Sequence, residues 1–333
     1  MKMNNKKIIV TGGAGFIGSH VVDLLLNQQN DVMIVDDFST GKWKNIEHHN
    51  GNIHLIVEKA DIRDLEKMIS ISKSVDVIFH LAVACLRTSI KNPAWVHEVN
   101  ATGTLNLCRA ALKNQVSRFI YISSSEVYGS AAYVPMDEKH PLYPMTVYGA
   151  SKAAGELYAQ AYWRTYGLPT MSVRPFNTYG PREPAEDFRA EVIPKFVLRS
   201  MAGLKPIIFG NGKQTRDFTW VEDTARGIIQ AAECDEMIGQ VVNIACGHEV
   251  SIEEISRIVA EKLGKGDQNA YYLQEGRPGD VMRHYADIGK ARQLFNYSPS
   301  VGIDTGISKY IQWIYSENVD ISAWLEQEQV CNW

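Results

Sequence analysis

Lys7-Ile8-Ile9-Val10-Thr11-Gly12-Gly13-Ala14-Gly15-Phe16-Ile17-Gly18 decides how the rest of the chain is read. Residues 7–10 form a short apolar run that ends in glycines, the pattern of a buried strand. Residues 16–26 then carry Ile17, Val21, Leu24 and Leu25 at helical spacing. Between them Gly12, Gly15 and Gly18 follow a GxxGxxG spacing. Glycine permits a tight turn and close backbone approach to a pyrophosphate, and the helix N-terminus supplies amide donors and the positive end of a dipole. A glycine pattern alone is weak; here it sits in the strand–turn–helix context that dinucleotide binding requires. Asp36 ends the next apolar run, 24 residues after Gly12. A carboxylate there accepts hydrogen bonds from both ribose hydroxyls of an adenosine and repels a 2′-phosphate, so NAD is expected over NADP.

Working outward, residues 32–35, 53–57, 75–81 and 118–123 read as strands, with helices at 65–72 and 96–112. A long helix at 148–166 and a strand at 170–174 follow. This alternation predicts an α/β fold, a Rossmann-type doubly wound parallel sheet with helices on both faces. After Pro175 the rhythm loosens, with Gly180, Pro181 and Pro184 and then glycines from Gly203 to Gly212. We divide the chain into an NAD-binding Rossmann domain at 1–175, carrying the catalytic residues, and a smaller, mainly substrate-binding C-terminal lobe at 176–333. Some segments of the second part are expected to return to the sheet, and the two parts to share one cleft.

The bulk composition narrows the function. The chain has 333 residues, 45% hydrophobic and 22% charged, with a net charge of −4. That is ordinary for a soluble globular protein. It offers no overall basic field, so nucleic acid is not expected as the main partner and an anionic ligand needs a local site. The five cysteines are scattered, without a CxxC pair, which fits a reducing compartment and no disulfide framework. The N-terminal MKMNNKKIIV reaches its glycines too soon for a signal-peptide core, and no 18-residue apolar run occurs. A cytoplasmic protein away from membranes is the expectation. No metal site is implied: His48 and His49 are neighbours in a polar stretch.

Tyr148-Gly149-Ala150-Ser151-Lys152 places Tyr148 and Lys152 four apart on one helix, hence on one face about a turn apart. A tyrosine titrates near ~10, too high for a base at neutral pH. An adjacent ammonium favours the phenolate and is expected to pull that value down. Ser124, 24 residues upstream at a strand end, offers a hydroxyl to the same substrate oxygen.

With these residues in place, the chain resembles the extended short-chain dehydrogenase/reductase family, in particular its nucleotide-sugar epimerases and dehydratases of the UDP-glucose 4-epimerase type. The resemblance runs from Ile8 to about Pro299. It is carried in order by TGGAGFIG at 11–18, DI at 61–62, HLA at 80–82, NATGT at 100–104, SSSEVYG at 123–129, YGASK at 148–152, RPFNTYGPR at 174–182, RDF at 216–218 and RPGD at 277–280. It implies an NAD groove formed by Gly12, Gly15, Phe16, Ile17, Asp36, Asp61, Ile62, Leu81, Ala82 and Val83, with Asn100 near it and Phe176 by the nicotinamide. It implies Ser124, Tyr148 and Lys152 as catalytic residues, with Tyr148 and Lys152 also at the cofactor. Asn177, Arg216, Arg277 and Asp280, with Ser124, would hold the substrate, the arginines by forking onto diphosphate oxygens. It further implies that Tyr148 deprotonates the sugar C4 hydroxyl, that the hydride is lent to NAD and returned, and that there is no net redox. A homodimer through helices 96–112 and 148–166 is implied as well.

Which sugar reaction follows is read two ways. The tail at 276–284, with Ala286 and Asp287, resembles 4-epimerases acting on UDP-sugars, and a UDP-sugar 4-epimerase is our first expectation. Glu126 instead resembles the 4,6-dehydratases and UDP-glucuronate decarboxylases, where a carboxylate serves as base at C5 of a 4-keto sugar. Ser125 stands where the usual hexose dehydratase has an aspartic acid, and some dehydratases of the GDP-sugar type resemble this chain in having serine there. The segment after His80 is about a residue shorter than usual, which leaves Cys85 and Arg87 where substrate-facing residues often sit. Arg87 reads either as a partner for a substrate carboxylate or as an ordinary exposed arginine. From other classes, an NAD-sensing scaffold would lack Tyr148 or Lys152, and a net dehydrogenase would release NADH.

Overall fold

The computed structural model describes residues 1–185, 189–266, 271–276, 281–328 and 330. Its first half alternates strand and helix: β1 (Lys7–Thr11), α1 (Phe16–Asn27), β2 (Asp31–Asp36), β3 (Leu55–Lys59), α2 (Leu65–Ile71) and β4 (Val77–His80), then α3 (Leu86–Lys91), α4 (Pro93–His97), α5 (Gly103–Lys113), β5 (Arg118–Ile122), α6 (Val147–Tyr166) and β6 (Thr170–Pro175). The second half adds β7 (Thr178–Tyr179), α7 (Val192–Met201), β8 (Ile207–Phe209), β9 (Thr215–Asp217), β10 (Thr219–Trp220), α8 (Val221–Glu233), β11 (Val241–Ile244), β12 (Glu249–Ser251) and α9 (Ile252–Lys262). It ends with β13 (Tyr272–Gln274), β14 (Arg283–His284), α10 (Gly289–Phe295), α11 (Ile303–Ser316) and α12 (Ile321–Gln327).

Seven strands pair in the order β11-β6-β5-β4-β1-β2-β3, every pair parallel. β4 and β5 are buried along their whole length, as strands covered by helices on both faces must be. This is the doubly wound Rossmann-type α/β fold. Chain order reverses between β1 and β4, and in open parallel sheets the crevice at that point is where ligands bind. The register brings Thr11 beside both Val35 and His80, so the glycine turn, the end of β2 and the segment after β4 meet at the C-terminal ends of neighbouring interior strands. β11, from beyond residue 175, sits at the far edge against β6, and α8 packs beside α1 on the sheet face. A separate core cluster, built on residues such as Tyr179, Phe196, Trp220, Ile255 and Tyr310, lies entirely after residue 178.

The structure moves some element bounds. The strand expected at 53–57 begins at Leu55 because Ile53 is 89% exposed, outside the sheet. The helix expected at 96–112 starts at Pro93, where proline suits a first helical position and Asn92 caps the Trp95 amide. It then passes through a π-helical turn at Glu98–Thr102 before α5. Such turns insert a residue that a 3.6-residue period does not show. Among the described residues, no helix is long and apolar enough to cross a membrane.

Candidate active site

A cleft of about 620 Å³ runs along the C-terminal strand ends. Gly12, Gly15, Phe16 and Ile17 form one end of it, with Asp36, Asp61, Ile62, Leu81, Ala82 and Val83 beside them. Gly12 has φ +69°, and a Cβ there would lie 2.6 Å from the Ala82 nitrogen; one on Gly18 would lie 2.1 Å from the Gly12 oxygen. Only glycine fits this turn. Asp36 accepts the Ala14 N–H at 3.0 Å and the Phe38 N–H at 2.9 Å. Burial raises its pKa, against the pull of those two amides. Asp61 accepts a bidentate hydrogen bond from Arg63, Nε to Oδ1 at 3.1 Å and Nη2 to Oδ2 at 2.6 Å, and that bond lowers its pKa. A glycine-only turn at the N-terminus of a twelve-residue helix, apolar walls and a carboxylate at the end of β2 fit a dinucleotide: pyrophosphate over the turn, ribose toward Asp36.

Two residues expected at the cofactor stand back from the cleft wall. Asn100 is 1% exposed. Its amide accepts the Ala84 N–H at 2.8 Å and donates to the Ala84 carbonyl at 3.0 Å and to Ser151 Oγ at 3.0 Å. It therefore pins the segment after β4 to the helix that carries Tyr148 and Lys152. Phe176 is fully buried, packed by the Tyr128 and His284 rings at 6.0 and 5.0 Å. Its neighbours Pro175 and Asn177 face the cleft instead.

Ser124, Glu126, Tyr148 and Lys152 all line the middle of the cleft. Ser124 follows β5 and caps a short 3-10 turn, Ser125–Val127, by accepting the Glu126 N–H at 3.2 Å. α6 begins at Thr146, whose hydroxyl accepts the Gly149 N–H at 3.0 Å, so Tyr148 lies in the first helical turn. Lys152 donates to the Ile122 carbonyl at 2.5 Å and lies 4.5 Å from the centre of the Tyr121 ring. Burial lowers Lys152 to about 7, with Glu156 opposing. The expected lysine-driven drop at Tyr148 is corrected here. Burial raises the tyrosine, and the hydrogen bond to Ser124 is what favours its phenolate, while the charges of Glu126, Cys85 and Glu191 push it further up. Lys152 has turned toward the strand-end carbonyl, which explains the difference.

At the other end, Asn177 donates to the Asp217 carbonyl at 3.2 Å, and Arg216 Nη1 donates to the carbonyls of Thr215 and Val281 at 2.9 and 2.6 Å. Arg277 and Asp280 lie outside the described residues. Asp217 accepts amides of Cys246 and Gly247 at 2.9 and 3.0 Å, with burial lifting it to about 7. It thereby fixes β9, and with it Arg216, against the sheet edge.

The sequence did not point to Glu183, Glu191 and Lys195, which also line the cleft. It left Arg87 open between two readings; Arg87 is only 8% exposed and is forked onto Glu191. No local motif marks them, and they become legible only once the fold brings Glu183, Glu191 and Lys195 to the cleft. One group of described residues outside this cleft has ligand-like spacing: His48 and His49 both meet one Asp23 oxygen, at 2.9 and 2.7 Å. Arg182 takes the other Asp23 oxygen at 2.8 Å, so a guanidinium already shares that carboxylate.

The GDP-mannose 4,6-dehydratase family model matches residues 9–310. A Methanocaldococcus jannaschii protein provisionally named a UDP-glucose 4-epimerase is 37% identical over 315 residues, 93% of this chain and 99% of its own. The UDP-glucuronic acid decarboxylase 1 of Xenopus tropicalis is 32% identical, over 94% of this chain and 73% of its own. A dTDP-glucose 4,6-dehydratase double mutant from Streptomyces venezuelae, solved with NAD bound, superposes with a TM-score of 0.88 at 30% identity, covering 97% of this chain and 100% of that one. The chain belongs to the GDP-mannose 4,6-dehydratase-like family of extended short-chain dehydrogenases/reductases, the NAD-dependent nucleotide-sugar enzymes that include epimerases, dehydratases and decarboxylases.

Proposed function

We propose that this enzyme is a UDP-sugar 4-epimerase. The observation that carries the reading is that Ser124 and Tyr148 line the same cleft as the glycine turn, with Lys152 one helical turn beyond Tyr148. In this reading Ser124 holds the C4 oxygen, and Tyr148 takes its proton and gives it back. Lys152 keeps a positive charge below about pH 7, which favours the proton leaving the sugar oxygen. Bound NAD supplies the acceptor for the C4 hydride and its return. Epimerisation asks of the chain only these three side chains and room for the ring to present its other face, which a cleft of about 620 Å³ offers.

A 4,6-dehydratase, or after it a UDP-glucuronate decarboxylase, is the second reading, favoured by Glu126. Glu126 lines the same cleft, and its charge acts on Tyr148. Its neighbour Ser125 is 4% exposed and is no acid, which favours epimerisation. Incubation with UDP-glucose, UDP-N-acetylglucosamine, UDP-glucuronate and GDP-mannose separates the readings by product mass and stereochemistry. Unchanged mass with C4 inversion is the expected result; loss of water or of carbon dioxide overturns it. Glu126→Gln is expected to leave epimerisation within about tenfold of the parent, because a residue outside the acid–base cycle lacks the 10²–10⁴-fold effect of one inside it.

A further inference from the structure

His80, the last residue of β4, is buried and stands behind the cleft wall to which Leu81 and Ala82 belong. A buried imidazole is costly unless both ring nitrogens find partners. Both do: Nδ1 lies 2.8 Å from Thr11 Oγ1, and Nε2 lies 2.8 Å from Thr104 Oγ1. Both threonines are fully buried. Counting hydrogens gives each bond its direction. The Thr104 hydroxyl has one hydrogen and donates it to the Asn100 carbonyl at 2.6 Å. It can only accept from His80, so Nε2 carries the ring proton. Burial, helped by the charge of Lys152, holds the imidazole neutral. Nδ1 is therefore an acceptor for the Thr11 hydroxyl, whose oxygen in turn accepts the Ala82 N–H at 3.2 Å.

The two ends of this chain of bonds reach the two halves of the site. Thr11 precedes the glycine turn, and the Ala82 nitrogen it holds is the atom that a Cβ on Gly12 would meet at 2.6 Å. At the other end the Asn100 side chain donates to Ser151 Oγ, which donates to the Tyr148 carbonyl at 2.8 Å. The catalytic helix lies close there. A Cβ on Gly155 would come within 3.1 Å of Thr104 Oγ1 and 2.4 Å of the Tyr121 hydroxyl, which donates to the Lys152 carbonyl at 3.0 Å. We propose that His80 is a positioning residue: as its Nε2–H tautomer it ties the dinucleotide turn to the helix of Tyr148 and Lys152, and so sets the distance across which the sugar hydride passes. It reaches the sugar only through these partners. The role rests on the C4-oxidation reading, which epimerase, dehydratase and decarboxylase share. A misplacement of about 1 Å, even from a change far from the chemistry, costs on the order of 10²-fold in rate.

The test follows the hydride. Initial rates are measured in excess NAD with whichever of the nucleotide sugars named above the parent converts, unlabelled and deuterated at C4. His80→Phe keeps a ring in place but offers neither threonine a nitrogen. Thr104→Val keeps the shape and removes the acceptor for Nε2–H, whereas Thr104→Ser keeps the hydroxyl. His80→Phe and Thr104→Val are expected to lower kcat by about 10²-fold, with KM for the sugar unchanged and a primary deuterium effect on kcat. Thr104→Ser should run close to the parent. Parent-like turnover in His80→Phe or Thr104→Val overturns the proposal. So does slowed turnover that is insensitive to deuterium, or a Thr104→Ser variant as slow as Thr104→Val, because both mark a structural defect without a hydride-transfer role. If His80→Phe fails to fold, the two Thr104 variants decide. A parent that converts none of the sugars is a different failure: it removes the C4-oxidation reading and the proposal with it.

Discussion

Glu156→Gln puts the buried support of the catalytic helix under direct test. Glu156 lies on α6 one turn beyond Lys152 and is 0% exposed; Arg174 on β6 is 3% exposed. Arg174 Nε donates to Glu156 Oε2 at 2.9 Å and Nη2 to Oε1, while Nη1 donates to the Tyr128 hydroxyl at 2.7 Å. Tyr128 in turn donates to Asn243 Oδ1 at 2.7 Å. One polar chain thus joins α6, β6, the turn after β5 and β11. Glutamine keeps the shape and one acceptor but leaves a buried guanidinium without its counter-charge. Removing one partner of a buried pair costs about 3–5 kcal/mol, a large share of the roughly 5–15 kcal/mol that holds a native protein folded. The retained acceptor puts our expectation at the lower figure, about 3 kcal/mol.

The same change acts on Lys152, whose charge Glu156 supports. Burial holds the folded lysine near 7, against about 10.4 in the unfolded chain. Between those values the unfolded state binds more protons, so stability rises with pH across that window. Loss of Glu156 moves the folded value lower and opens the window at lower pH. Guanidinium unfolding followed by circular dichroism at pH 6, 7.5 and 9 reads both effects. A loss under about 1 kcal/mol at pH 7.5, with the parent's pH dependence intact, would refute the reasoning.

Tyr148→Phe should lower turnover by about 10²–10⁴-fold, the usual contribution of a general acid–base group. NAD should remain bound in that variant, and turnover close to the parent's would remove the tyrosine from the reaction. Gly18→Ala drives a Cβ to 2.1 Å from the Gly12 oxygen, a backbone atom with no side chain to swing away; the purified protein should emerge without cofactor absorbance, and full NAD occupancy would show that the turn tolerates a methyl. The enzyme is also expected to run in light scattering as a homodimer of 37.3 kDa chains, with Leu157→Glu on α6 shifting it toward monomer, because Leu157 is 53% exposed on a helix proposed for the interface. A parent that is monomeric at assay concentration contradicts that expectation.

What was legible in the sequence is what is encoded locally. The glycine turn, Asp36 and the Tyr148–Lys152 spacing each declare themselves within one element and its flanks. Strand and helix periodicity then ordered the sheet, because buried parallel strands are apolar on both faces. The π-turn at Glu98–Thr102 was hidden, since Asn100 justifies it only through partners 16 and 51 residues away. Arg87 and Glu191 are 104 residues apart, and neither stands in a pattern that names the other. The direction of the Tyr148 shift was misread for a related reason. Spacing on a helix says that two side chains share a face, but the Ile122 carbonyl from a neighbouring strand decides where the ammonium points.

These placements separate two choices that the enzyme makes. Ser124, Glu126 and Tyr148 stand on the sheet's own strand end, on the 3-10 turn capped by Ser124 and on the first turn of α6. All are held by backbone bonds and by buried polar chains through Asn100 and Arg174, so the group available next to the sugar C4 is set by the rigid half. Glu183, Glu191, Lys195 and Arg216 arrive instead from the chain after β7 and from β9. Glu191 is paired with Arg87 from the first half, and Arg216 is held by the Thr215 and Val281 carbonyls. Substitution at Glu126 should therefore leave C4 inversion as the product, within about tenfold of the parent's rate. Substitution at Glu191 should instead reach the C4 chemistry through charge alone, because Glu191 is among the charges that raise Tyr148.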